Sequence, residues 1–175
     1  MSVPRKTTVS VAATCVLLLA PAAATASASV DETTNAGRAS LSTKSAPPTP
    51  RAYKNLATSY CLDSNAAGRV YTSGCNNKQK SQKWHPYEQK ASVHGRNVYV
   101  FKNARTGRCL DSNADRKVYT LRCNGGSYQK WRMSTSGGYR VFQNLATSFV
   151  LDSNTARQVY THAYNGGSFQ KWIRR

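Results

Sequence analysis

The stretch Cys109-Leu110-Asp111-Ser112-Asn113, continued by Val118-Tyr119-Thr120, Asn124-Gly125-Gly126 and Gln129-Lys130-Trp131, decides the fold, because the chain writes it three times. An earlier copy runs from Asn55-Leu56-Ala57-Thr58 through Cys61-Leu62-Asp63-Ser64-Asn65 and Val70-Tyr71-Thr72 to Gln82-Lys83-Trp84. A later copy runs from Asn144-Leu145-Ala146-Thr147 through Leu151-Asp152-Ser153-Asn154, Val159-Tyr160-Thr161 and Asn165-Gly166-Gly167 to Gln170-Lys171-Trp172. Copies two and three agree at 17 of 29 aligned positions, far beyond chance. Self-similarity at a period of this size marks a repeat architecture and takes precedence over any local reading.

Within each copy the apolar runs are short and rich in Val, Tyr, Phe and Leu, and Asn, Gly, Ser and Asp punctuate them. Tyr99-Val100-Phe101-Lys102-Asn103 and Tyr139-Arg140-Val141-Phe142-Gln143-Asn144 are examples. That grammar belongs to strands and turns. After Pro50 no segment sustains a helical stripe, so the class is all-β. The tryptophans are 47 and then 41 residues apart, the length of a four-stranded unit. Three such units are few for a propeller and suit a closed threefold arrangement. Closure would bring Trp84, Trp131 and Trp172 together near a pseudo-threefold axis, with Leu62, Leu110 and Leu151 completing the centre of a core.

Cysteine spacing supplies an internal check. Cys61 and Cys75 are 14 residues apart, as are Cys109 and Cys123, at matching places in copies one and two. Copy three has Val150 and Tyr164 there, so both members of the pair are lost together. A bridge within each repeat predicts that joint loss, and each bridge would close a loop worth on the order of 3 kcal/mol. Zinc is the alternative, although the close C-x-x-C spacing of zinc sites is missing. Disulfides point to an oxidising location.

The amino end agrees. Arg5 and Lys6 precede an apolar run from Val9 to Ala24, followed by Ala26-Ser27-Ala28, which reads as a secretory signal over residues 1–28. The competing reading, a membrane anchor, meets a short run with no basic flank after it. Residues 29–50 are rich in Ser, Thr, Ala and Pro and read as a disordered linker, leaving 51–175 as the folded domain. No span is expected in the mature protein, which reads as secreted and monomeric.

The chain carries 25 Lys and Arg against 7 Asp and Glu, a formal charge of +18. So few carboxylates exclude a carboxylate-rich calcium site and leave a glycosidase pair without partners, since with Asp31 and Glu32 in the linker only Glu88 and Asp115 remain beside the repeats' own aspartates. The histidines at 85, 94 and 162 assemble no nucleophile triad, so no enzyme, metal or cofactor is expected. The surplus charge has two readings: a solvated surface that keeps the protein soluble, or a preference for anionic partners. Lys83, Lys130 and Lys171 recur at the middle of each Q-x-W, and Arg69 and Lys117 recur four residues after the Asn of Leu-Asp-Ser-Asn.

Three Q-x-W triplets in register, three Leu-Asp pairs and the repeat length resemble the ricin B-type lectin family from Tyr53 to the C-terminus. The resemblance implies a β-trefoil of three four-stranded repeats with non-catalytic sugar binding in up to three shallow pockets. It also implies glycans or glycoconjugates as partners, and in some members service as the targeting part of a separate toxin or enzyme chain. Carried over, the hydroxyl acceptors are Asp63, Asp111 and Asp152, and the supporting amides are Gln82, Gln129 and Gln170. The family's stacking aromatic falls at Ser73, Leu121 and His162, of which only His162 has a ring, and the family's Asn before the Gln falls at Ser81, Tyr128 and Phe169. Tyr71, Tyr119 and Tyr160 lie two residues upstream and, by strand alternation, on the same face, so they are candidate walls for the sugar or else ordinary half-buried strand tyrosines. Asn76, Asn124 and Asn165 are candidate substitutes for the missing amide, although turn chemistry alone explains them. The basic surplus extends the expectation to acidic glycans. The competing class is a basic polyanion-binding or nucleic-acid-binding secreted protein, which would show steep salt dependence and indifference to loss of the three aspartates.

Overall fold

The structure of the protein, a computed structural model, describes residues 46–93 and 96–175, and the side chains of residues 90–96 are not described. The expected leader at 1–28, and the linker as far as residue 45, lie outside the described residues. Twelve antiparallel strands follow: β1 (Tyr53–Asn55), β2 (Cys61–Ser64), β3 (Val70–Ser73), β4 (Trp84–Val93), β5 (Arg96–Asn103), β6 (Cys109–Ser112), β7 (Val118–Leu121), β8 (Trp131–Ser136), β9 (Tyr139–Asn144), β10 (Val150–Ser153), β11 (Val159–His162) and β12 (Trp172–Arg174). Each repeat contributes four of them, and the fold is a β-trefoil with pseudo-threefold symmetry. Among the described residues no helix is long and apolar enough to cross a membrane.

Three long pairings, β4–β5, β8–β9 and β12–β1, form the barrel wall, joined by β5–β8, β9–β12 and the bridge from Arg51 to Trp84. Three short hairpins, β2–β3, β6–β7 and β10–β11, form the cap. Alternation explains the split: in each cap hairpin Leu and Thr face one another on one side, and Asp and Tyr on the other. The leucines go to the core.

Trp84, Trp131 and Trp172 are fully buried, and each indole Nε1 donates to a carbonyl of its own repeat, that of Leu62 (3.1 Å), Leu110 (3.1 Å) or Leu151 (3.2 Å). The rings that meet pairwise in a triangle, however, are Tyr53, Phe101 and Phe142, with centroids 5.0 to 5.7 Å apart and edges against faces. The tryptophans thus fasten cap to barrel, and a second aromatic set makes the threefold contact expected of them. Such edge-to-face contacts add about 0.5–1.5 kcal/mol each beyond the area they bury.

Neighbouring repeats are joined cyclically by buried asparagines. Asn55, Asn103 and Asn144 donate from Nδ2, each at 2.7 Å, to the carbonyls of Phe169, Ser81 and Tyr128 in the preceding repeat. Their Oδ1 atoms accept two backbone N–H groups of the following turn. Around the cap the N–H groups of Thr72, Thr120 and Thr161 donate to the carbonyls of Arg157, Gly68 and Arg116. Arg157 and Arg116 adopt positive φ (64° and 66°) and lay their guanidinium groups over Tyr60 and Phe149. The third such position is Gly68, where a Cβ would stand 3.0 Å from Nη1 of Arg108, the residue that replaces the aromatic ring. Glycine there leaves room for Arg108 and for the Thr120 carbonyl oxygen, which would stand only 2.7 Å from a Cβ.

Both disulfides form as the spacing predicts, Cys61–Cys75 with Cα atoms 5.0 Å apart and Cys109–Cys123 at 5.1 Å.

Candidate functional site

The β-hairpin register sets the site. Asp63, Asp111 and Asp152 stand directly across the cap hairpins from Tyr71, Tyr119 and Tyr160, on the face turned away from the core leucines. A single 3-10 turn in each repeat, Lys80–Gln82, Ser127–Gln129 or Ser168–Gln170, then carries a glutamine over that carboxylate.

Each glutamine is clamped. Its Oε1 accepts the N–H of Asn76 (2.8 Å), Asn124 (2.9 Å) or Asn165 (2.9 Å), which orients the amide and commits Nε2 to the carboxylate. Nε2 donates to Oδ2 of Asp63 (3.1 Å), Asp111 (2.8 Å) and Asp152 (2.9 Å), and also to the carbonyls of Gly74, Arg122 and Ala163. The backbone N–H of Ser64, Ser112 or Ser153 donates to the same carboxylate. The asparagines of the Asn-Gly-Gly turns therefore act through their backbone to hold the glutamine. The side chains of Asn124 and Asn165 are used locally, accepting the N–H of Gly126 and Gly167.

The three copies are not equivalent. Asp63 also accepts Ser73 Oγ (2.7 Å) and Gln79 Nε2 (3.2 Å), and it is fully buried. Gln79 occupies the place of Gly126 and Gly167 before the 3-10 turn, so copy one closes over its carboxylate with a side chain that the other copies lack. Asp111 and Asp152 keep 3% and 4% exposure, which places them under the surface with acceptor sites still free. Burial pushes the Asp111 carboxyl up, against the pull of the Gln129 and Ser112 hydrogen bonds.

The tyrosines are half-buried. Burial and then the neighbouring carboxylate push the hydroxyls of Tyr71, Tyr119 and Tyr160 above their ordinary value, so all three are neutral at physiological pH. Tyr119 and Tyr160 line an open cleft of about 730 Å³ between β7 and β11, together with His162, Arg69, Arg116 and Lys117. Asp111 and Asp152 are not part of that lining, so this cleft does not itself open onto the carboxylates, and the tyrosines are what the two have in common, lining the cleft and standing across the hairpins from Asp111 and Asp152.

Two further rings belong to the site. Tyr128 and Phe169, immediately before Gln129 and Gln170, are 44% and 37% exposed, whereas Ser81 in copy one is buried. Alternation does not find them, because the residue before the glutamine sits in a 3-10 turn. The mark available in the sequence is that only copies two and three carry a ring there. Tyr128 lies near enough to Tyr119 to add to the push that raises the Tyr119 hydroxyl. Copies two and three thus each combine a partly free carboxylate, a clamped amide and an exposed ring.

A family model described as ricin-type β-trefoil lectin domain-like matches residues 80–172. A search of curated proteins finds no match. Among solved structures, a designed threefold-symmetric protein, ThreeFoil, is similar with a TM-score of 0.62 and 22% identity over 71% of this chain and 96% of that one. The BEL β-trefoil is similar with a TM-score of 0.62 and 18% identity over 75% and 94%. An exo-β-1,3-galactanase from Clostridium thermocellum is similar with a TM-score of 0.61 and 21% identity, over 72% of this chain and only 30% of the galactanase. At these identities the structural likenesses establish the fold.

Proposed function

The chain belongs to the ricin-type β-trefoil lectin-like family, and from that premise we propose that it binds carbohydrate, without chemical turnover, through the second and third copies of its repeat. The observation that carries the reading is the contrast between copies. Oδ2 of Asp111 and of Asp152 accepts one side-chain donor, while Oδ2 of Asp63 accepts three. An ionised carboxylate accepts hydrogen bonds from two vicinal sugar hydroxyls at once, and its charge strengthens each of them. Gln129 and Gln170 fix the carboxylates, Tyr128 and Phe169 offer rings for the C–H face of a sugar, and Tyr119, Tyr160 and His162 form the opposite rim.

Export is part of the proposal, supported by the basic-apolar-small pattern of residues 1–28 and by the two disulfides. The protein then acts as a monomer on glycans or glycoconjugates, alone or as the targeting part of a separate toxin or enzyme chain. A preference for acidic glycans follows from Arg69, Arg116 and Lys117 around the cleft. The same cations favour a second reading, general polyanion or nucleic-acid binding.

A glycan array at two salt concentrations, with wild type beside an Asp111→Asn/Asp152→Asn double variant, separates the two. Sugar binding predicts that selected glycans are lost in the variant. Equal binding by both proteins with a steep loss at high salt would overturn the carbohydrate sites and leave the polyanion reading.

A further inference from the structure

The outward face of the β8–β9 hairpin forms the floor of a second cleft, of about 460 Å³, that contains none of the repeat aspartates. Period-2 alternation puts Arg132, Ser134 and Ser136 on that face, opposite Gln143, Val141 and Tyr139 in register. Val150, Tyr164 and Lys171 from copy three build the wall. In copy two the corresponding wall positions are the bridged Cys109 and Cys123. The absence of a bridge in copy three leaves a free tyrosine, 61% exposed, as one side of the cleft.

Its chemistry is one-sided. The cleft has two cationic side chains, and among the described residues no carboxylate lines it. The Lys171 ammonium is held 5.6 Å above the Tyr139 ring. The Arg132 guanidinium is under-used: Nη1 donates to Gln143 Oε1 over a long 3.5 Å, and Nε has no partner. Two serine hydroxyls lie beside it, with Val141, Val150 and the two tyrosine rings supplying apolar surface. A bare anion would leave the rings idle, and a neutral sugar would leave both cations unpaired. We propose that this cleft is a separate site for a carboxylated sugar ring, its carboxylate held between Arg132 and Lys171 and its face laid against Tyr139 or Tyr164. Guanidinium groups pair with carboxylates through two parallel bonds, which gives Arg132 the orienting part. The floor spans five residues, about 13 Å of strand, enough for more than one ring.

Titration calorimetry of the whole protein with glucuronate tests this, with glucose as the neutral control and inorganic phosphate as the bare-anion control. Glucuronate should bind about tenfold or more tighter than either at low salt. Arg132→Gln and Lys171→Gln should each weaken it by about tenfold, with Arg132→Lys restoring part of the loss. Lys80→Gln, at an exposed cation that lines neither cleft, should leave it unchanged. An unchanged thermal midpoint shows that the Gln variants fold. No detectable glucuronate binding, phosphate binding of equal strength, indifference to both Gln variants at Arg132 and Lys171, or an equal loss in Lys80→Gln would each overturn the proposal. Glucuronate binding that survives while no neutral glycan binds would instead refute only the carbohydrate reading of the aspartate sites.

Discussion

Replacing each repeat aspartate by asparagine should separate a carboxylate that holds the fold from two that meet ligand. Asp63 accepts four hydrogen bonds at 2.7 to 3.2 Å and is fully buried. In Asp63→Asn an amide NH2 replaces one carboxylate oxygen, and whichever way it turns it faces a donor. Bonds to a charged group contribute about 1.5–3 kcal/mol, and a buried unpaired donor costs about 1–3. Ser73 and Gln79 can turn to water, so the irreducible loss is at the Gln82 amide and the lost charge, about 3–4 kcal/mol. Asp152→Asn disturbs a carboxylate that accepts a single side-chain donor, Gln170 Nε2 at 2.9 Å, and that keeps an edge toward solvent where the new amide can turn, so its cost is about 1–2 kcal/mol. At about 4 °C per kcal/mol for a fold of this size, calorimetry should show thermal midpoints lowered by about 12–16 °C for Asp63→Asn and about 4–8 °C for Asp152→Asn. Glycan binding measured at a temperature where both are folded should run the other way, with Asp63→Asn keeping every site and Asp152→Asn losing one. Equal midpoint shifts, or a site lost in Asp63→Asn, would refute the distinction between closed and open copies.

Three other outcomes follow from the same geometry. Gln79→Gly combined with Ser73→His should open copy one, raising binding stoichiometry by one site in calorimetry with Asp63 as the new acceptor. Burial, opposed by Arg140, Arg174 and Arg51, raises the Tyr53 hydroxyl to about 12, above its unfolded value of 10.0. The neutral form is therefore favoured by folding, and stability present below pH 10 is lost as pH rises toward 12. That loss is about 3 kcal/mol, absent in Tyr53→Phe and measurable as a flatter alkaline unfolding curve. Val150→Cys with Tyr164→Cys should form a third bridge like those of copies one and two, raising stability by up to about 3 kcal/mol in denaturant titration and abolishing glucuronate binding at the hairpin cleft.

Much of this architecture was readable from the chain because the repeated residues carry their reasons locally. Leucine and aspartate alternate on one strand, a cysteine pair is kept or lost as a unit, and a glutamine precedes each tryptophan by two residues. What was not readable depends on proximity between segments. Tyr53, Phe101 and Phe142 each lie two residues before the asparagine that opens a repeat, so their equivalence is in the sequence but their meeting is not, whereas the tryptophans, marked most strongly, serve to fasten cap to barrel. Copy one shows an extra residue in its turn, which signals a different rim. That Gln79 reaches back 16 positions to close over Asp63 is a matter of three dimensions. Tyr128 and Phe169 read as departures from a family asparagine, and strand alternation assigns them no face, because a 3-10 turn interrupts the strand.

The pairing of β1 with β12 has a temporal consequence. On one edge Tyr53, Lys54 and Asn55 pair with Arg174, Ile173 and Trp172, while the other edge meets β2 at Lys54 and Cys61, so this seam cannot be sewn until β12 has been synthesised. At ordinary rates of translation the opening strand waits about 6–25 s for its mate, its edge bare and its aromatic side chain unsheltered. Losing the four residues Trp172–Arg175 would make that wait permanent, so nascent chains stalled just short of β12 should be the species that chaperones hold and proteases clear.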